Sequence, residues 1–297
     1  MRNRTRITAL LAATAFALAG CSDDDPTAED PKPASGPTNQ QNAGSSDSPE
    51  PPESDDGAGS TTTVPVYFVG DTPQGLRLYR EFRAVEGDNP AAEALALMTA
   101  GDTLDPDYRT LYPGGTFAGV EIGSDVIEVS VPDESWTTMP DGMSENDARL
   151  AAQQLVYTVQ GIAQSRLPVE IVLDGRPTDL FGLGGQLGNE PELDVRAMVN
   201  VTSPEEGATV ADTFTASGVA SSFEATVPWQ VRQGDTVVKD GFATAEGWMD
   251  KLYPWETEVD VSDLDPGTYT FVALTDDPSG GAEGGGPTED SKTIIVE

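Results

Sequence analysis

The chain has one cysteine, Cys21, in 297 residues, so no disulfide bond within the chain can stabilise its folded parts. Those parts must bury apolar cores of sufficient size, which a chain of this length can supply. Cys21 follows an apolar segment from Ile7 to Leu18, which itself follows Arg2, Arg4 and Arg6. A basic start and a short apolar segment are typical of a secretion signal and too short for an ordinary membrane span.

The residues around Cys21 resemble the bacterial lipobox. Ala19 and Gly20 are small and precede the cysteine directly. In a lipobox the thiol receives a diacylglyceryl group, and cleavage between the residues corresponding to Gly20 and Cys21 leaves the cysteine as the new N-terminus. Acyl chains such as palmitate would then hold the protein on the membrane. The sequence therefore predicts a signal peptide at residues 1–20 and a lipid-anchored protein on the extracytoplasmic face of the cell membrane. The alternative is a cysteine inside an ordinary cleaved signal.

The charge balance excludes several classes of function. The chain has 51 acidic and 16 basic residues, no histidine and a formal net charge of −35. Nucleic acid, a polyanion, would be repelled. Histidine is the commonest general base near neutral pH and a common zinc ligand, and no thiol is free once Cys21 is lipidated. We therefore expect no nucleic-acid partner, no cofactor and no metal. The acidity is consistent either with solubility or with adaptation to salt.

Residues 21–63 have the composition of a disordered tether. The segment is rich in proline, serine, glycine and asparagine, and it contains ten acidic residues but only one basic residue, Lys32. Such a segment cannot bury enough apolar surface to offset the entropy lost on ordering. It would hold the folded part at a distance from the membrane.

Residues 64–184 begin with a predicted hairpin and helix. Alternating apolar residues from Val64 to Val69 and from Leu76 to Arg83 predict two paired strands. Asn89 can cap a helix that starts with proline and ends at Gly101.

The rest of this unit repeats the pattern of two strands and a helix. Phe117 to Ile122 and Val126 to Val131 predict a second hairpin. Ser144, with an aspartate three residues later, predicts the start of a long amphipathic helix that extends to Ile162, and Val169 to Leu173 predicts a strand. The order is ββαββαβ, an α+β domain.

Residues 195–297 contain only strand patterns. About seven short alternating segments in about a hundred residues indicate an all-β sandwich. These segments are Met198–Thr202, Thr213–Ala220, Ala225–Val231, Thr236–Lys239, Glu256–Val261, Tyr269–Leu274 and Thr293–Val296.

The first unit resembles the GerMN domain, named from a spore germination and sporulation protein and also found in other bacterial envelope lipoproteins. The similar segments are Glu93–Leu97, Leu111–Thr116, Leu155–Val159 and Val169–Gly175. The resemblance implies no catalytic residues. It does not imply spore germination itself, because the domain also occurs in bacteria that form no endospores.

The second unit resembles the immunoglobulin-like domain that often follows GerMN. The similar segments are Val201–Pro204, Gly207, Ser217–Gly218, Phe223–Ala225 and Trp229–Val231. Together the two resemblances cover Val64 to Glu297.

Candidate catalytic residues are limited to carboxylates. A cell-wall hydrolase could use two acids, one protonated and one ionised, and the candidates are Asp133 and Glu134 near Trp136, and Glu246 near Trp248. In a chain with this many acids, solvated loops explain both groups. We therefore predict no catalytic residue.

Two further groups are candidates for binding. Asp276 to Gly281, with Glu283, Glu289 and Asp290, offers oxygen ligands for Ca²⁺ but lacks the spacing of an EF-hand, which favours an acidic hairpin loop. Whether the acidic loop at 276–290 binds calcium stays open.

Aromatic residues of the second unit divide into core and surface. Trp229 alternates with valines and is expected in the sandwich core. Tyr253 and Trp255 flank a proline and are predicted to be an exposed contact for a partner or a glycan.

Taken together, the sequence predicts a non-enzymatic, lipid-anchored envelope protein. Its two domains would contact another envelope protein or the cell wall during envelope assembly or a process related to sporulation and germination. The alternatives are a module that binds cell-wall glycan and a carboxylate-dependent cell-wall hydrolase.

Overall fold

Residues 61–276 and 286–297 are described in a computed structural model of the protein. The predicted signal peptide, Cys21 and most of the predicted tether lie outside the described residues. None of the helices in the described part of the chain is both long and apolar enough to cross a membrane.

The first domain begins with a long antiparallel hairpin. Strand β1 is Thr62–Thr72 and strand β2 is Gly75–Val85. Gly75 has a φ of 95°, a left-handed conformation that glycine adopts without strain. The predicted hairpin is confirmed, and β1 begins two residues before Val64, where the folded part was expected to start.

The two predicted helices have the predicted caps. Helix α1 is Pro90–Ala100, and the side chain of Asn89 accepts a hydrogen bond from the backbone N–H of Ala92. Helix α2 is Glu145–Ala163, and its capping box joins Ser144 and Asp147 in both directions. Reciprocal bonds of this kind satisfy N–H groups that have no partner inside the helix.

A second small sheet completes the first domain. Strands β3 (Gly119–Ile122), β4 (Ile127–Ser130), β5 (Val169–Leu173) and β6 (Arg176–Pro177) lie in that order, and β7 (Gln186–Leu187) also pairs with β5. Strand β5 is parallel to β4 because α2 crosses between them. The order ββαββαβ is confirmed, with the β1–β2 hairpin forming its own sheet.

The second domain is a sandwich of two sheets. The short helix α3 (Glu192–Val195) precedes its strands. The strands are β8 Val199–Ser203, β9 Ala208–Val210, β10 Thr213–Ala220, β11 Thr226–Gln233, β12 Thr236–Thr244, β13 Tyr253–Asp260, β14 Gly267–Leu274 and β15 Glu289–Val296. A three-stranded sheet has the order β13-β10-β8, and a five-stranded sheet has the order β12-β11-β14-β15-β9.

Each domain has its own apolar core. Phe68, Leu155 and Phe181 are fully buried in the first, and Phe271 and Ile294 are fully buried in the second. The described residues nevertheless belong to one compact unit. The contacts between the two domains are therefore part of the fold.

Candidate functional site

A buried charge cluster lies where the two domains meet. Lys292 on β15 forms ion pairs with Asp105 of the first domain and with Asp290 two residues earlier on its own strand, the latter at 3.2 Å. Its Nζ also donates to the Tyr108 hydroxyl at 2.8 Å, and that hydroxyl donates to Asp290 Oδ1 at 2.7 Å. The exposed fractions of the two aspartates are 2 % for Asp105 and 4 % for Asp290. We call Lys292, Asp105, Asp290 and Tyr108 the junction cluster.

The protonation of the junction cluster follows from burial and charge. Burial would lower the pKa of Lys292, but the carboxylates of Asp290 and Asp105 outweigh it, and the net pKa is raised. For Asp105, burial outweighs the attraction of Lys292 and raises the pKa to about 6. Burial raises the pKa of Tyr108 most, and the nearby carboxylates of Asp290 and Asp105 raise it further. Lys292 is therefore charged and Tyr108 neutral at physiological pH.

Further hydrogen bonds connect the junction cluster to both domains. Glu81 on β2 accepts the backbone N–H of Asp105 at 3.0 Å, which fixes the loop that presents this aspartate. Asn200 on β8 donates to Asp290 Oδ2 at 3.1 Å and accepts the backbone N–H of Arg80 at 2.8 Å. These bonds make a continuous polar connection from β2 to β8 and β15.

A second feature is an open groove of about 550 Å³ beside the junction. Strands β2, β8, β10 and β13 and the end of β12 contribute to its walls. Its lining residues are Arg80, Thr202, Ser217, Gly218, Val219, Thr244, Glu246, Pro254, Trp255 and Glu256. We call this the Arg80 groove.

Arg80 has an unusual environment in so acidic a chain. Its Nη2 donates to Thr202 Oγ1 at 3.4 Å, and its guanidinium lies 4.5 Å from the ring centre of Phe82. Its Nε is buried without a hydrogen-bond acceptor, and Arg80 forms no ion pair with any carboxylate at residues 61–276 or 286–297. Burial lowers its pKa, although an arginine stays charged. Arg80 is thus a partly desolvated cation without a counter-ion.

Tyr253 and Trp255 were both predicted to be exposed, and the structure agrees with this only in part. Tyr253 is half-buried, but Trp255 is 3 % exposed and packs in the sandwich core, so the expected exposure of Trp255 is wrong. The reason is that β13 begins at Tyr253 and includes Pro254, which an edge strand tolerates. Contact of either residue with a partner or a glycan stays a prediction. Trp229 is in the core, as expected.

The structure brings two separately considered residues together. Glu246 and Trp255 both line the Arg80 groove, and the backbone N–H of Glu246 donates to the Pro254 carbonyl at 3.0 Å. Trp248, in contrast, is 36 % exposed and packs edge-on against Phe223 outside the groove.

Asp133 and Glu134 lie at the start of a short 3₁₀ helix. Asp133 caps a short 3₁₀ helix, and its hydrogen bonds with Ser135 lower its pKa. Glu134 is exposed, while Trp136 is buried among Tyr112, Phe117 and Phe181.

Some acids of the predicted acidic loop at 276–290 have structural partners, and others lie outside the described residues. Asp290 belongs to the junction cluster, and Glu289 forms an ion pair with Arg232 at 3.2 Å. Residues 277–285, which include Glu283, lie outside the described residues. Within the described ranges, no three acidic side chains are arranged to hold a metal ion. Cys21 and Gly20 also lie outside those ranges.

Three residues of the junction cluster, Asp105, Tyr108 and Lys292, were not identified from the sequence, and Asp290 was considered only as an oxygen ligand for calcium. One signal was available, because Asp290, Lys292, Ile294 and Val296 alternate along β15 and are all buried. That alternation places two charged residues on the buried face. The sequence alone could not identify Asp105, which is far away along the chain.

Comparisons with known proteins identify both domains. Residues 65–179 match the family described as "Sporulation and spore germination", and residues 198–282 match the "Immunoglobulin-like domain of bacterial spore germination". No curated protein sequence matches the chain.

Several solved structures are distantly similar to this chain. The tandem GerMN domains of the sporulation protein GerM from Bacillus subtilis align at 14% identity and a TM-score of 0.34, covering 69% of this chain and 64% of that one. An endo-β-1,4-mannanase from Thermotoga petrophila aligns at 13% identity and a TM-score of 0.27, covering 51% and 35%. An engineered protein aligns at 14% identity and a TM-score of 0.25, covering 50% of this chain and 36% of that one. The chain thus spans less than two thirds of the length of each of these proteins.

TM-scores of this size establish no shared activity, so the assignment rests on the two family matches. The chain therefore joins a sporulation and spore germination domain, the GerMN domain, to a following immunoglobulin-like domain of bacterial spore germination.

Proposed function

We propose that the protein is a lipid-anchored, extracytoplasmic envelope protein that presents its two domains as one rigid, non-enzymatic unit. Lipid on Cys21 would hold it on the membrane, and the acidic tether would carry the two domains outward. The partner would be another envelope protein or the cell wall, in a process of the sporulation and germination type.

The junction cluster is the observation that carries this proposal. Lys292 connects the domains through contacts that are almost fully removed from water, and breaking them would leave buried charges unpaired. Domains that move relative to each other are usually joined by an exposed linker with few contacts across the boundary. A fixed relative orientation is useful to a protein that must present both surfaces to one partner.

The environments of the candidate acids support a non-enzymatic role. A glycosidase needs one carboxylic acid whose pKa is raised so that it stays protonated. Asp133 has the opposite shift, because hydrogen bonds with Ser135 lower its pKa. Asp105 has a raised pKa, but it is buried and bonded to Lys292.

Crosslinking in intact cells followed by mass spectrometry tests the proposal. We expect the full chain to give a defined set of crosslinks, which Cys21→Ser loses because the protein leaves the membrane. Lys292→Met should also change the set, whereas Lys239→Met, which removes a surface ion pair with Asp263, should not.

Two results would contradict the proposal. Turnover of purified cell wall by the wild-type protein would show an enzyme. An unchanged crosslink set in Lys292→Met would show that a fixed arrangement of the domains is not required.

A further inference from the structure

We propose that the Arg80 groove binds a short peptide with free charged termini, with the C-terminal carboxylate on Arg80 and the N-terminal ammonium group near Glu246 and Glu256. This inference rests on the groove itself and does not depend on the proposed lipid anchor or rigid unit.

Arg80 supplies the site for the carboxylate. The guanidinium group has five N–H donors arranged to hold a carboxylate through two parallel bonds. Within the described residues its Nε has no acceptor. Its guanidinium makes a long hydrogen bond to Thr202 and a further one with the Tyr67 hydroxyl, and neither partner is a carboxylate. The ion-paired arginines differ from it: Arg83, Arg109, Arg149, Arg166, Arg196 and Arg232 each have a carboxylate partner. A carboxylate from a ligand would provide the counter-ion that Arg80 does not find among the described residues.

Glu246 and Glu256 supply the site for the positive end. Both side chains are exposed, line the groove and have no ion pair or hydrogen bond within the described part of the chain. Two free carboxylates would repel a ligand that carries only negative charge. A ligand with one charge of each sign meets complementary groups at both ends.

The remaining walls suit a short peptide. The volume of about 550 Å³ lies in the range of small-ligand sites. Hydroxyl groups of Thr202, Ser217 and Thr244 can bond to peptide N–H and C=O groups. Trp255 also lines the groove, and its Nε1 is buried without an acceptor. A neutral glycan could use the hydroxyl groups, but it would leave Arg80 without a counter-ion.

Calorimetric titration of the full chain with alanine peptides of two to five residues tests the inference. We expect binding by peptides with free termini. Amidation of the C-terminus should weaken binding about tenfold or more, because the bond to Arg80 loses its charge. Acetylation of the N-terminus should weaken it by a smaller factor, because the glutamates are exposed.

Variants separate binding in the groove from other effects. Arg80→Gln should reduce affinity for the free peptide to that for the amide. Arg77→Gln is the matched control, because Arg77 lies on the same strand and donates to the neighbouring Leu76 carbonyl outside the groove. The double variant Glu246→Gln with Glu256→Gln changes only exposed side chains and should therefore fold. It should weaken binding of the free peptide, so the inference can be tested even if Arg80→Gln fails to fold.

Several results would overturn the inference. These are equal affinity for free and amidated peptides, equal loss in Arg77→Gln and Arg80→Gln, and acetate binding as tightly as the peptides. The proposed function would stand in each case, because it depends on membrane release and crosslinking and not on this titration.

Discussion

Replacing Lys292 by methionine is expected to destabilise the protein strongly. Methionine has similar length but no charge, so Asp105 and Asp290 would remain buried without a cation. Removing one partner of a buried ion pair costs about 3–5 kcal/mol. This is a large fraction of the roughly 5–15 kcal/mol by which a domain is stable. In a folded part of this size the loss corresponds to a fall of roughly 6–20 °C in melting temperature.

Equilibrium unfolding in urea, followed by circular dichroism, measures the effect. Lys239→Met is the matched control, because Lys239 pairs with Asp263 at the surface, where the aspartate side chain is 71% exposed. Its removal should cost at most about 1 kcal/mol. If the two lysine variants differed by less than 1 kcal/mol, the junction cluster would contribute no more than a surface ion pair and our reasoning would be refuted.

A triple variant keeps the test informative if Lys292→Met does not fold. Adding Asp105→Asn and Asp290→Asn removes the unpaired charges that the single variant leaves behind. A neutral amide of the same size costs much less to bury than an unpaired carboxylate. We therefore expect the triple variant to recover most of the lost stability. A triple variant as unstable as Lys292→Met would mean that the unpaired carboxylates are not the cause.

Three further predictions concern local features. The pKa of Asp105 is raised from 3.8 to about 6, so its contribution to stability is complete below pH 4 and is lost as pH rises through 6. In urea unfolding, Asp105→Asn should remove up to about 3 kcal/mol of this pH dependence. An unchanged pH dependence in the variant would contradict this prediction. Gly218→Ala should cost several kcal/mol by thermal unfolding, because a Cβ there would lie 2.2 Å from the Asn200 carbonyl oxygen, whereas Gly188→Ala, with no atom within 4 Å, should be close to neutral. Ser144→Ala removes the capping box of α2 and should cost about 1 kcal/mol in the same assay; no loss would show that the cap is dispensable.

Local signals explain the parts of the fold that were predictable. The hairpin β1–β2 and helices α1 and α2 depend on alternation and on caps within a few residues, such as Asn89 for α1 and Ser144 for α2. Strand β9 was missed, because it has three residues and pairs with β15 across a long interval of chain. Short segments carry too little periodicity to be distinguished from loops.

The candidate site was less predictable, because its groups come from distant segments. Pro254 argued for an exposed loop at Tyr253 to Trp255, but whether a proline lies at the edge of a sheet depends on the partner strands. Arg80 is one of sixteen basic residues in the chain, and nothing in its neighbours distinguishes it. Its lack of a counter-ion becomes evident only when β8, β10 and β13 surround it.

The junction cluster also constrains the order in which the protein can assemble. Asp290 and Lys292 both lie on β15, which follows every other described strand and helix. When the first domain emerges, Asp105 is still hydrated and its carboxylate costs nothing to keep charged. Burial of Asp105 has to coincide with the arrival of Lys292, because burial without this lysine would leave the charge unpaired. Closure of the junction is therefore coupled to completion of the sandwich in the second domain, which explains how two domains with separate cores can form a single unit.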